Sequence, residues 1–137
     1  DVIVKDNEIR TNFSRGLMLR GGSIGNTVKD NVFSGNNVGI LLFQPEGTVV
    51  KNNFVSDSRT AGIRVRFTAI GNVIKENQVV SNLAGIEFLL SPTGQPATGN
   101  SLIENTMATN TCGLKGPTTG NVLKENVFEG NGSDTCT

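Results

Sequence analysis

A short motif built around asparagine recurs six times along this chain of 137 residues. The second copy reads Val28-Lys29-Asp30-Asn31-Val32-Phe33, and Asn36 and Gly39-Ile40 follow it. The anchoring asparagines are 24, 22, 24, 28 and 21 residues apart, at Asn7, Asn31, Asn53, Asn77, Asn105 and Asn126. A repeat of this length is typical of a solenoid, in which each repeat forms one coil that stacks on the next. The sixth copy ends without a Gly-Ile pair.

Within each repeat, apolar and polar residues alternate over short runs, as at Leu17/Leu19 and Ile63/Val65. This period of two predicts strands, and glycine and asparagine between the runs predict tight turns. The repeats differ in length mainly in the segment after each Gly-Ile strand, and most of all at residues 91–98. A loop can project from the stack at this point. The pattern resembles an all-β, right-handed parallel β-helix of about five to six coils, forming a single domain over residues 1–137.

Equivalent positions of successive repeats should form columns along the solenoid. Two apolar columns predict the core. The first contains Ile9, Phe33, Val55, Val79, Met107 and Phe128, and the second contains Leu17, Ile40, Ile63, Ile86 and Leu114. The anchoring asparagines form a third column, and a fourth contains Asn12, Asn36, Ser58, Asn82, Asn110 and Asn131. Asparagine tolerates the left-handed conformation and can bond to its equivalent one coil away, so we expect stacked Asn ladders at two bends.

A charged edge precedes the anchoring asparagines. Its acidic or amide column is Asp6, Asp30, Asn52, Glu76, Glu104 and Glu125. Stacked carboxylates are compatible with calcium, but a lysine column (Lys5, Lys29, Lys51, Lys75 and Lys124) lies directly beside them. We therefore favour a solvated face of opposite charges and predict no metal site.

Composition excludes several kinds of function. The 12 basic and 12 acidic residues give no net charge, so no basic surface for nucleic acid is indicated. No apolar run approaches the roughly 20 residues of a membrane span. The chain has no His, which removes the most common general base and metal ligand. We expect no cofactor.

The two cysteines, Cys112 and Cys136, occupy matching places in the last two repeats once a short insertion is allowed. Neighbouring coils bring such positions within bridging distance, so we expect a disulfide that pins the last coil. Two unrelated thiols are the alternative. A disulfide implies a secreted, cell-surface or periplasmic protein.

The outward side of the Gly-Ile strand varies most from repeat to repeat. One column reads Met18, Leu41, Arg64, Glu87 and Lys115, and the next reads Arg20, Phe43, Arg66 and Leu89. Their apolar members indicate either a contact surface or scattered surface residues. We expect a ligand here, and the candidate binding residues are Arg20, Phe43, Arg64, Arg66, Glu87 and Lys115.

The repeat Asn-x-apolar-x-x-Asn-x-x-Gly-Ile resembles the pectate-lyase-like superfamily, above all its Asn-rich periplasmic and surface β-helix proteins. It is also similar to the β-helix parts of alginate epimerases, polysaccharide lyases and phage tailspikes. The resemblance implies polysaccharide bound along the outer face of one sheet. The epimerase Asp-Pro-His motif has no counterpart, because His is absent. A glycosidase needs two carboxylates about 5 to 9 Å apart, and only Glu87 and the nearby Glu46 are candidates.

We therefore expect a non-catalytic scaffold or a module that binds carbohydrate or protein. The alternatives are the β-helix of a lyase, epimerase or glycosidase that acts on acidic polysaccharide, and a structural stalk that self-associates. Because Asp1 enters in mid-coil without a cap, we also expect the chain to be a fragment of a longer β-helix.

Overall fold

The computed structural model describes every residue of the chain, Asp1–Thr137. It is an all-β structure with eighteen strands of three to six residues and no helix. The strands form three parallel sheets, and each sheet takes every third strand of the chain. Three strands therefore make one coil and the chain makes six coils, which confirms the predicted parallel β-solenoid. No helix is present that could cross a membrane.

Each sheet has six strands, one from each coil. Sheet 1 contains β1 (Ile3–Lys5), β4 (Thr27–Lys29), β7 (Val49–Lys51), β10 (Val73–Lys75), β13 (Ser101–Ile103) and β16 (Val122–Lys124). Sheet 2 contains β2 (Glu8–Arg10), β5 (Val32–Ser34), β8 (Phe54–Ser56), β11 (Gln78–Val80), β14 (Thr106–Ala108) and β17 (Val127–Glu129). Sheet 3 contains β3 (Arg15–Arg20), β6 (Val38–Phe43), β9 (Ala61–Arg66), β12 (Ala84–Leu89), β15 (Cys112–Lys115) and β18 (Ser133–Cys136).

The core lies inside the coils and is built from the predicted apolar columns. In sheet 2, Phe33 pairs with Val55 of the next coil, and in sheet 3, Ile40 pairs with Ile63. All four side chains are fully buried. Sheet 1 adds a third column, in which Val28 pairs with Val50. Because each strand turns every second side chain inward, three short strands per coil are enough to enclose a continuous apolar interior.

Both predicted Asn ladders are present. In the first, Asn53 donates its backbone N–H to Oδ1 of Asn77 over 2.9 Å and its amide Nδ2 to the same oxygen over 3.0 Å. Nδ2 of Asn53 also donates a hydrogen bond to a backbone carbonyl oxygen, that of Val28, over 3.0 Å. These buried amides therefore have their partners, as buried polar groups require.

The left-handed residue of each first bend is the acidic or amide residue before the anchoring asparagine. Asp6 has φ 57°, and Glu76 and Glu125 each have φ 54°. The expectation that the asparagines themselves use this conformation is wrong. Their amides point into the ladder, while the preceding side chain turns the chain and stays partly or fully exposed. At the surface, lysines of the neighbouring column form ion pairs with these acidic side chains. For example, Lys51 lies 3.4 Å from the carboxylate of Glu76.

A third ladder, which was not predicted from the sequence, lies at the remaining bend. It contains Asn26, Asn72, Asn100 and Asn121, and Thr48 takes the place of the second rung. Asn72 donates its Nδ2 to Oδ1 of Asn100 over 2.9 Å. At the Thr48 rung, both Nδ2 of Asn26 and Oγ1 of Thr48 are buried without a hydrogen-bond partner. Ser58 leaves a similar gap in the second ladder, because its Oγ is also unpartnered.

The glycine of the Gly-Ile pair marks a close approach between coils. A Cβ on Gly85 would lie 2.5 Å from the carbonyl oxygen of Gly113 in the next coil. The sixth coil has Asp134 at this place and still forms the third strand, β18, although its sequence lacks the Gly-Ile pair. The last coil is therefore complete in all three sheets.

The predicted disulfide between Cys112 and Cys136 is present, with the two Cα atoms 6.2 Å apart. Its cysteines do not stand at matching positions, because the register pairs Cys112 with Ser133 and Cys136 with Lys115. The bridge therefore runs diagonally between the fifth and sixth coils.

Candidate ligand-binding face on the third sheet

The outward side chains of sheet 3 form the two columns that the sequence predicted. We call them together the outer face. The Arg64 column contains Met18, Leu41, Arg64, Glu87 and Lys115, and the Arg66 column contains Arg20, Phe43, Arg66 and Leu89. Successive members lie one coil apart, about 4.8 Å. All six candidate binding residues thus share one face.

Glu87 sits at the centre of an ion network in the Arg64 column. Its Oε2 accepts a hydrogen bond from Nε of Arg64 over 2.6 Å, and its Oε1 lies 3.2 Å from Nζ of Lys115. Glu87 is only 3% exposed. A carboxylate removed from water in this way requires paired cations, so both oxygens of Glu87 are engaged and the group carries one net positive charge.

The apolar members of the outer face are less exposed than the sequence suggested. Leu41 is buried at 1% exposure, and Met18, Phe43 and Leu89 are half-buried. The interpretation of Leu41 as a surface residue is wrong. Its column neighbours Met18 and Arg64 lie one coil away on either side and shield it from water.

Arg66 is held between two aromatic rings and has no acidic partner. Its Cζ lies 4.5 Å from the centroid of the Phe67 ring and 5.6 Å from that of Phe43. The two rings meet edge to face with centroids 4.9 Å apart. Nε of Arg66 is buried and makes no hydrogen bond. A guanidinium that is held by two rings and is not engaged by a carboxylate is available to bind an anion.

Phe67 reaches this position because its backbone has φ 60°, in the left-handed region. Bulky side chains rarely adopt this conformation, and it persists only where surrounding contacts hold it. Phe67 was not among the predicted binding residues, since it falls after the strand and outside the two columns. The only available signal was that it directly follows Arg66 among few aromatic residues.

A cavity of about 440 Å³ opens beside Arg66. It forms because β15 ends at Lys115, whereas β12 in the coil before continues to Leu89. At Gly116 the chain turns away with φ +93°, and a Cβ there would collide with the carbonyl oxygen of Phe88. The lining consists of Arg66, Phe88, Leu89, Leu90, Lys115, Gly116, Pro117 and Thr137. Only Arg66 and Lys115 among these were selected as binding residues from the sequence, because the rest depend on where a strand stops.

The three parallel sheets define the chain as a parallel β-helix protein. The sequence model of the family described as "Periplasmic copper-binding protein (NosD)" matches residues 1–136. The chain therefore belongs to the NosD family. A search among curated proteins found no significant match.

Two solved structures share the fold. The periplasmic alginate epimerase AlgG superposes with a TM-score of 0.78 at 22% identity, over 93% of this chain and 35% of that chain. The A-module of the mannuronan C-5 epimerase AlgE4 from Azotobacter vinelandii gives 0.58 at 14% identity, over 98% of this chain and 51% of that chain. This chain thus spans about a third and about half of the two proteins.

The donor groups of this chain do not fit copper, the metal in the family description. Protein copper sites use imidazole, thiolate or thioether ligands. The chain has no His, both cysteines form the disulfide, and Met107 is fully buried in the core. Only Met18 is left as a soft ligand, and no three His, Cys, Asp or Glu side chains come together as a metal site.

Proposed function

We propose that this chain is a non-catalytic, periplasmic β-helix module that binds anionic polysaccharide along the outer face. The observation that carries the proposal is Arg66, a guanidinium that is held between Phe43 and Phe67, has no acidic partner and lines a cavity. Arg20 lies in the same column, is exposed and makes no ion pair. Two unpaired arginines separated by an aromatic ring suit a chain that alternates carboxylates with apolar sugar faces.

A binding role is favoured over catalysis by the state of Glu87. It is the only carboxylate in the two columns, and Arg64 and Lys115 occupy both of its oxygens. Abstraction of a proton from a sugar needs a base that can reach the substrate. Here Arg64 and Lys115 cover the carboxylate of Glu87, so it cannot reach a substrate. The periplasmic location is supported by the family description and by the disulfide.

The alternative is a catalytic module that acts on acidic polysaccharide. What favours it is that Arg64, Glu87 and Lys115 lie together and that Lys115 lines the cavity, so that a substrate carboxylate could displace Glu87 from a cation. The binding module and the catalytic module are distinguished by what happens to the polymer. A catalytic module changes the polymer, and a binding module returns it unaltered.

Calorimetric titration with a polyuronate, and with a neutral glucan as the control ligand, tests the proposal. We expect the polyuronate alone to bind and Arg66→Ala to weaken it at least about tenfold. Arg59→Ala is the matched control, because Arg59 also stacks on a ring, that of Phe13 at 5.5 Å, but lies outside the outer face. Equal loss in both variants would indicate general charge attraction and would reject the site.

A further inference from the structure

The cavity closes one end of the Arg66 column. Starting from the first coil, this column passes Arg20, Phe43 and Arg66 to Leu89 in the fourth coil. At the next position the strand pattern stops, since the register places Pro117 beyond Lys115, where the chain has already left the sheet. The column therefore ends beside the cavity, at the boundary between the fourth and fifth coils.

The boundary is held by more than one contact. The backbone N–H of Gly116 donates to the carbonyl oxygen of Cys136 over 2.8 Å, and the Cys112–Cys136 disulfide ties the two coils together. Thr137, directly after Cys136, lines the cavity on this side. The wall thus belongs to the covalently braced part of the molecule.

The lining of the cavity suits a single sugar that carries a carboxylate. Leu89, Leu90 and Pro117 give it apolar surface, and Arg66 brings a cation to its edge. Sugar-binding sites of this size combine apolar walls with few polar groups. From Arg20 to Leu89 the column measures about 14 Å at the usual strand separation.

On these grounds, and resting on the proposed function, we propose that the cavity receives the end of an anionic polysaccharide chain. The terminal sugar packs against Leu89 and Leu90, and its carboxylate binds Arg66. The sugars that follow lie over Phe43 and Arg20.

The number of protein molecules bound per polysaccharide chain tests this proposal. We would titrate a short and a long fraction of the same polyuronate and measure stoichiometry by calorimetry and sedimentation. End binding predicts one protein per polymer chain at both lengths. A bound number that rises with length would overturn end binding and leave the proposed function standing. No binding at either length would reject both.

A variant that fills the cavity gives a second, independent test. Leu90 is 47% exposed and lines the cavity, so Leu90→Trp should fold normally and weaken binding about tenfold. Leu83→Trp is the matched control, because Leu83 is 52% exposed and lies outside the cavity. Unchanged affinity in a folded Leu90→Trp protein would show that the cavity is not occupied.

Discussion

Phe67 places its ring centroid 4.5 Å from Cζ of Arg66, and it does so from a left-handed backbone with φ 60°. The two residues are adjacent in sequence, yet the strained bend turns the aromatic ring back over the guanidinium. A second ring, Phe43 from the coil before, completes the clamp. The clamp fixes the orientation of Arg66 before any ligand arrives, which reduces the entropy lost on binding.

Phe67→Gly should separate the effect of the Phe67 ring on the orientation of Arg66 from its effect on stability. Glycine adopts positive φ freely, so release of about 1 kcal/mol of strain offsets part of the lost ring packing. We expect a small change in Tm and a clear loss of polyuronate affinity. Phe67→Ala keeps the strain and loses the same ring, so it should be less stable than Phe67→Gly and bind equally weakly. Thermal unfolding and calorimetry measure both effects, and full affinity in Phe67→Gly would show that the ring does not position Arg66.

Glu87→Gln tests whether the buried carboxylate is structural or catalytic. The substitution removes the negative charge that neutralises Arg64 and Lys115. Because both cations are partly exposed, we expect a loss of only about 1–2 kcal/mol in unfolding free energy. Affinity for polyuronate should rise, since two cations become available to it. A fall in affinity together with loss of a measurable turnover would favour the catalytic alternative.

Thr48→Asn should stabilise the protein by completing the third ladder. In the present structure Nδ2 of Asn26 and Oγ1 of Thr48 are both buried without partners. An asparagine at 48 would offer its Oδ1 to Asn26, as Asn100 does for Asn72 over 2.9 Å. Each buried unsatisfied group costs about 1–3 kcal/mol, so we expect a gain of about 2 kcal/mol in chemical denaturation. Asn37→Asp, which changes an amide outside the ladders, should have little effect.

Removal of the disulfide should loosen the last coil. Cys112 and Cys136 enclose a sequence separation of 24 residues, and a loop of this size contributes about 3 kcal/mol in the chain-entropy description. The double variant Cys112→Ser/Cys136→Ser should unfold at lower denaturant concentration. Hydrogen exchange should show the loss of protection concentrated in β15 and β18, with β6 and β9 unaffected. A uniform loss along the solenoid would contradict a local brace.

The repeat made most of the fold predictable. The spacing of Asn7 to Asn126 sets the coil length, and the alternation around Ile40 and Ile63 identifies the inward column of sheet 3. The third ladder was missed because Thr48 breaks it and the loops before it differ in length. The left-handed residues were assigned to the asparagines, since propensity alone does not tell which of two adjacent residues turns the chain.

The candidate site was only partly predictable for a different reason. The two outward columns follow from the register, so Arg64, Glu87 and Lys115 could be grouped in advance. The pairing of Glu87 with both cations, the ring of Phe67 over Arg66 and the cavity depend on side-chain packing and on the early end of β15. No periodic signal in the sequence carries that information.

The most direct test of the account follows the protein and the polymer in one NMR experiment. Polyuronate is titrated into isotope-labelled protein, and the spectrum of the polymer is compared before and after prolonged incubation. We predict chemical-shift changes centred on Phe43, Arg66, Phe67 and Leu89, with the polymer unaltered. Shift changes spread over sheets 1 and 2, or an epimerised or cleaved polymer, would contradict a non-catalytic binding face on sheet 3.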